Sequence, residues 1–101
     1  MSSTLPTRLD DLRQRREEIL ALAAHYHAYN VRVIGSVARG EATVSSDIDF
    51  LVNYQHGASL LDLAGLWQDL QTLLQHSVDV LDEASLPPYW QAIVRQESVP
   101  L

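Results

Sequence analysis

Gly35-Ser36-Val37-Ala38-Arg39-Gly40-Glu41-Ala42-Thr43-Val44-Ser45-Ser46-Asp47-Ile48-Asp49 is the stretch that decides how this chain folds. Ten residues separate the Gly-Ser pair from the Asp-x-Asp pair. Just upstream, Val31-Arg32-Val33-Ile34 is β-branched at three of four positions, which predicts a short strand. Gly35-Ser36 ends that strand, Val37-Ala38-Arg39 forms a helical turn closed by Gly40, and Glu41 to Ser46 is a loop. Asp47 to Val52 is the second strand. Its alternation puts Ile48, Phe50 and Val52 on one face and Asp47, Asp49 and Leu51 on the other.

Working outward, Leu9, Leu12, Ile19, Ala23 and Tyr26 recur at roughly helical spacing. They predict a first helix capped by Thr7 or Asp10, running to about Tyr29 and stopped by Asn30. Downstream, a turn at Gln55-His56-Gly57 leads to Ser59, a candidate cap. Leu60, Leu63, Ala64, Trp67, Leu70 and Leu74 form the apolar stripe of a long helix, widened by Leu61, Leu66 and Leu73. Val78-Asp79-Val80-Leu81 is the third strand. Pro87-Pro88 opens a last helix, packed down by Trp90, Ile93 and Val94. The expected architecture is a single α/β (α+β) domain over residues 1–101, a small three-stranded mixed sheet flanked by helices.

The carboxylates carry the chemistry. Asp47 and Asp49 point to the same face of a strand, with Cα atoms roughly 6.6 Å apart. Paired catalytic metal ions lie ~3.5–4 Å apart, so two such carboxylates can flank a metal pair. If the third strand neighbours the second, Asp79 adds a ligand from ~4.8 Å away. Asp79 is framed by Val78, Val80 and Leu81, and Asp49 by Ile48 and Phe50, settings where an idle charge is unexpected. An oxygen-only ligand set favours Mg²⁺ or Mn²⁺ over zinc. His25 and His27 face different ways on a helix, and His56 and His76 are isolated in sequence; surface or structural roles suit all four.

A strand that ends in Gly-Ser and turns into a helix exposes backbone N–H groups that attract anions. Gly35 allows close approach, the Ser36 hydroxyl adds a donor, and Arg39 could reach the same phosphates. Four fixed residues at this spacing occur by chance in about one chain per thousand of this length. There is no Gly-Lys-Ser/Thr loop, since the chain has no lysine, and no Gly-x-Gly-x-x-Gly fingerprint.

Composition narrows the function. The net charge of −6 argues against a broad nucleic-acid footprint but allows a nucleoside triphosphate that arrives with metal ions. No apolar run approaches a membrane span, Met1-Ser2-Ser3-Thr4 does not resemble a secretory signal, and there is no cysteine. A cytoplasmic location is therefore expected. All seven basic residues are arginine. Arg8, Arg13, Arg15 and Arg16 suit a solvated helix face or a docking patch for an acidic partner.

Gly35 to Ala42, Ser46 to Val52 and Val78 to Leu81 together resemble the minimal nucleotidyltransferases of the DNA polymerase β superfamily. The resemblance implies a nucleotidyltransferase fold and Mg²⁺-dependent transfer from ATP. Asp47 and Asp49 would bind both ions, and Asp79 the ion that activates the attacking hydroxyl. Gly35 and Ser36, helped by Arg39, would hold the β and γ phosphates. Larger members carry further domains that hold the acceptor, whereas about 20 residues follow Asp79 here, so the acceptor is expected on another protein. Minimal members are commonly antitoxins paired with HEPN-domain toxins, and some place AMP on a toxin tyrosine. The resemblance thus implies a protein adenylyltransferase antitoxin. Two alternatives stand beside it: an antitoxin that neutralises its partner by binding alone, and a transferase acting on a small hydroxyl compound.

Overall fold

A computed structural model describes residues 8–101. The N-terminal helical segment is two helices rather than one, α1 over Leu9–Gln14 and α2 over Arg16–His25. The break is at Arg15, whose N–H bonds back to Leu12. Arg8 stands at the cap position with no side-chain bond, Asp10 lies inside the first turn, and Thr7 is outside the described residues. The helix also stops earlier than expected. His27 takes a left-handed conformation (φ 66°) and turns the chain into β1, Ala28–Ile34. Asn30, the expected stop, lies within that strand. Its positive φ of 54° falls at a register shift between Tyr29 and Arg32, so its tolerance of the left-handed region serves a bulge.

After α3 (Gly35–Arg39) come β2 (Ile48–Tyr54), α4 (Leu60–Leu74), β3 (Val78–Asp82), a 3₁₀ turn at Glu83–Ser85 and α5 (Pro88–Glu97). The sheet is mixed, but it has four strands where three were expected. Val99–Pro100 forms a short β4, and the order is β3-β2-β1-β4. β1 runs antiparallel to both β2 and β4, while β2 and β3 are parallel. β4 is two residues long and contains a proline, so local patterning could not reveal it.

The two faces of the sheet are covered differently. Leu12, Ile19 and Ala23 from α1 and α2, with Leu66, Leu70 and Leu74 from α4, pack on Val33, Ile48, Phe50, Val52 and Val78. On the opposite face, Val94 of α5 packs on Ile34 and Leu51, flanked by Leu81 and Leu86. Ser59 caps α4 through a reciprocal box with Asp62, as its position suggested. The buried stripe of α4 is rotated from expectation, because Leu60 and Leu61 are each 82% exposed and Trp67 is 46% exposed. One cause is visible. The Trp67 indole N–H donates to the Val78 carbonyl (2.6 Å), and the Gln71 side-chain oxygen accepts from the Val78 N–H (3.3 Å). These side chains occupy both polar groups of one residue on edge strand β3. On α5, Val94 is buried while Trp90 and Ile93, expected beneath it, are largely exposed.

α5 is fastened by charge as well. Glu83 is buried and meets the Arg32 guanidinium (2.7 Å) and Arg95. Burial pushes the Glu83 carboxyl up, but the hydrogen bonds and charges of Arg95 and Arg32 outweigh this and hold it below the usual range. Among the described residues no helix is long and apolar enough to cross a membrane.

Candidate active site

The α5 side of the sheet also carries the carboxylates. Parallel pairing places Asp49 directly opposite Asp79, and Phe50 opposite Val80. Side chains at partnered positions share a face, so Asp49 and Asp79 stand abreast on adjacent strands. Asp47 lies one residue before β2, at its mouth, rather than inside the strand as expected. Asp47 and Asp79 are exposed, and Asp49 is half-buried. The ion pairs among the described residues engage Arg15, Arg32, Arg39, Arg95 and His27, and none includes these three aspartates.

Asp49 registers the crowding. Desolvation first, then the charges of Asp79 and Asp47, push its carboxyl above the ordinary range, with Arg39 pulling the other way. Asp49 is therefore within electrostatic reach of both other acids. The three are gathered but not closed: among the described residues no three acidic or histidine side chains form a ready-made metal cage. Oxygen-only ligands of this kind suit a hard divalent cation.

Gly35 is bound up with the same carboxylate. It adopts φ +74°, and a Cβ built on it would lie 2.4 Å from Asp49 Oδ2, so a side chain there would force the carboxylate to move. The conformation favours glycine, and the approach lets the Asp49 carboxylate keep its place. Ser36 follows in the first turn of α3, and no side chain caps that start. Gly40, at φ 74°, closes the helix, and the Glu41 N–H bonds to the Ser36 carbonyl.

Arg39 is less committed to the carboxylates. Its Nε donates to Glu41 Oε1 at 2.8 Å, and its guanidinium lies 3.8 Å from Glu97 of α5. It also lines a hollow of about 560 Å³ against α3, with Arg8, Leu9, Asp10, Val37 and Ala38, which does not include Asp47, Asp49 or Asp79. Its Nε is thus engaged by Glu41 rather than by the Gly35-Ser36 turn.

One side chain at the rim has no local sequence signal. His76, between α4 and β3, places its Nε2 2.6 Å from the Ser46 carbonyl, next to Asp47. Thirty residues separate the two positions, and only the parallel pairing of β2 with β3 brings them together.

Comparison with known proteins points the same way as this geometry. A family described as "Nucleotidyltransferase domain" matches residues 12–99. A protein of Methanocaldococcus jannaschii assigned as a protein adenylyltransferase (MJ0435) is 33% identical over 88% of this chain and 96% of its own length. A solved structure described as a minimal nucleotidyltransferase is 47% identical, covers 93% of this chain and 96% of that one, and superposes with a TM-score of 0.85. A toxin–antitoxin crystal structure with AMP-PNP shares the fold, with a TM-score of 0.72 and 22% identity over 83% of this chain and 69% of that one.

Proposed function

This chain belongs to the nucleotidyltransferase domain family, and from that premise we propose that it moves AMP from ATP onto a hydroxyl of a partner protein. The proposed partner is a HEPN-type toxin, the acceptor is a tyrosine of that toxin, and the chain acts as its antitoxin. One observation carries the site: Asp49 and Asp79 are partnered on adjacent parallel strands, with Asp47 close enough to perturb Asp49 and Gly35 in contact with it.

Each residue then takes a role. Gly35 and Ser36 hold the β and γ phosphates through backbone N–H groups and the serine hydroxyl. Arg39, one turn along α3, helps them. Asp47, Asp49 and Asp79 hold divalent cations, Mg²⁺ with Mn²⁺ as a substitute, which supply charge neutralisation on the attacking and leaving oxygens when bound. The acceptor oxygen forms a bond to the α-phosphorus as the bond to the bridging oxygen breaks. Pyrophosphate departs with the bridging electron pair, and the hydroxyl proton passes to a carboxylate of the site or to solvent. The protein's own contribution is to position the parts.

Three further observations support a protein acceptor. The carboxylate face is exposed at Asp47 and Asp79, open to a large partner. A relative that matches most of the chain is assigned as a protein adenylyltransferase. A fold neighbour is a toxin–antitoxin assembly. Residues 1–101 act as a single domain in this reading.

The test is intact mass spectrometry of a HEPN protein encoded beside this chain, incubated with it, ATP and Mg²⁺. Increments of about 329 Da, one AMP less water, are expected on the partner and absent with Asp47→Asn/Asp49→Asn. An unmodified partner that is nevertheless silenced at equal dose by the double variant would establish masking instead. Label on small hydroxyl compounds and none on protein would overturn the choice of acceptor.

A further inference from the structure

We infer that His76 is a positioning residue for Asp47, acting through the Ser46 carbonyl; the inference rests on the nucleotidyl-transfer reading above. Asp47 lies outside β2 and is exposed, so the strand does not itself fix the carboxylate. The two peptide groups that flank it are fixed instead. The Ser46 carbonyl accepts from His76 Nε2 (2.6 Å), and the Ile48 N–H donates to the Ser77 carbonyl (3.0 Å). Two consecutive residues, His76 and Ser77, thus bracket Asp47 from both sides.

The platform that presents them is held by hydrogen bonds. Gln75 reverses the chain in the left-handed conformation (φ 52°), and its side-chain amide donates to the Thr72 carbonyl at 2.8 Å. Both polar groups of Val78 are taken by Trp67 and Gln71. By contrast, the loop before Asp47 relies on itself. The Thr43 N–H donates to Ser46 Oγ (2.9 Å) and the Ser46 N–H to the Thr43 carbonyl (3.0 Å). Among the described residues, the other hydrogen bonds of residues 43–46 are internal, so the His76 contact is their tie to the sheet.

A carbonyl oxygen only accepts, which places the hydrogen on Nε2. The neutral Nε2–H tautomer and the doubly protonated ring both meet that need. Loss of the donor frees the Ser46 peptide, and Asp47 then spends part of its time out of register with Asp49. One hydrogen bond of this kind sets the scale of the effect, about three- to tenfold in an equilibrium constant.

The experiment measures Mn²⁺ affinity by the electron paramagnetic resonance signal of free Mn²⁺, in the presence of a non-hydrolysable ATP analogue. The full chain is compared with His76→Leu, His76→Gln and Asp47→Asn, and the rate of AMP transfer is measured alongside. Glutamine offers an N–H at a reach comparable to Nε2 and leucine offers none. His76→Leu is expected to weaken Mn²⁺ binding about three- to tenfold and to slow transfer by a similar factor. His76→Gln should stay within about twofold of wild type. Wild-type affinity in His76→Leu overturns the inference, and so does an equal loss in both His76 variants, which would mark general disruption. Wild-type Mn²⁺ binding by Asp47→Asn overturns the underlying metal reading and this inference with it.

Discussion

Replacing Asp49 by asparagine should leave the metal-free protein as stable as wild type or more stable, unlike most substitutions at a half-buried strand position. Asn keeps the shape that Gly35 packs against and removes the charge. Asp79 is partnered with Asp49 on the neighbouring strand, ~4.8 Å away. Two unit charges ~5 Å apart repel by ~3 kcal/mol at an effective dielectric of 20 and by ~0.8 kcal/mol in bulk water. Asp79 and Asp47 are exposed, so screening puts the repulsion near the lower figure, about 1 kcal/mol. For a domain of this size that is a rise in Tm of about 4–8 °C.

The pH dependence has a definite sign. Asp49 is raised above its ordinary value of 3.8 by burial first and then by Asp79 and Asp47. Between 3.8 and the raised value the folded state binds more protons than the unfolded state, so stability falls as pH rises through that window. The full penalty is present at neutral pH. The advantage of Asp49→Asn should therefore be largest at neutral pH and shrink in acid, as Asp49 becomes protonated in both states. Denaturation monitored by circular dichroism with chelator present, at about pH 7.5 and about pH 3.5, measures this. A variant destabilised by more than about 1 kcal/mol at neutral pH, or one whose advantage grows in acid, would refute the reasoning.

Three other substitutions test separate parts of the structure. Gly35→Ala adds a Cβ that displaces the Asp49 carboxylate at a backbone position of φ +74°; it should cost ~1–2 kcal/mol of stability and roughly a hundredfold in transfer rate, and a fully active Ala variant would refute the close approach. Glu83→Gln leaves Arg32 buried without a charge partner and should cost about 3 kcal/mol or more in urea denaturation. Because the Glu83 carboxyl is held down, its contribution is present above 4.5 and lost as pH falls below it, so the gap between wild type and variant should narrow in acid. Trp67→Ala removes a half-exposed ring and its hydrogen bond to Val78; about 1–2 kcal/mol is expected, and a loss of ~3–5 kcal/mol would mean the ring is buried in solution.

What could be read in the sequence was local. Val31 to Ile34, the Gly-Ser turn and the strand after Asp47 are each specified by neighbours a few residues away, as are the Ser59 cap and the Pro88 start of α5. The misplaced features depend on distant contacts. Asn30 suggests a stop wherever a left-handed residue is tolerated, and only the pairing of β1 with β2 makes it a bulge. The α4 stripe is leucine-rich over a wide arc, so its buried side was settled by where Trp67 meets β3. β4 exists because β1 has a free edge beside the chain's last residues. Asp47 and Asp49 are close in the chain, so their nearness was legible, although only Asp49 lies within β2 and Asp47 stands just before it. Alignment of Asp79 with Asp49 required knowing that β3 lies parallel to β2. His76 reaches Ser46 across thirty residues, and no local pattern encodes that contact.

Titration calorimetry of Mn²⁺ with a non-hydrolysable ATP analogue, into wild type and into Asp47→Asn/Asp49→Asn, tests the central claim most directly. Saturable uptake by the wild type and none by the double variant, with both folded by circular dichroism, is the predicted result. Equal uptake by both, or none by either, would contradict the assignment of a metal–nucleotide site to these carboxylates and the Gly35-Ser36 turn.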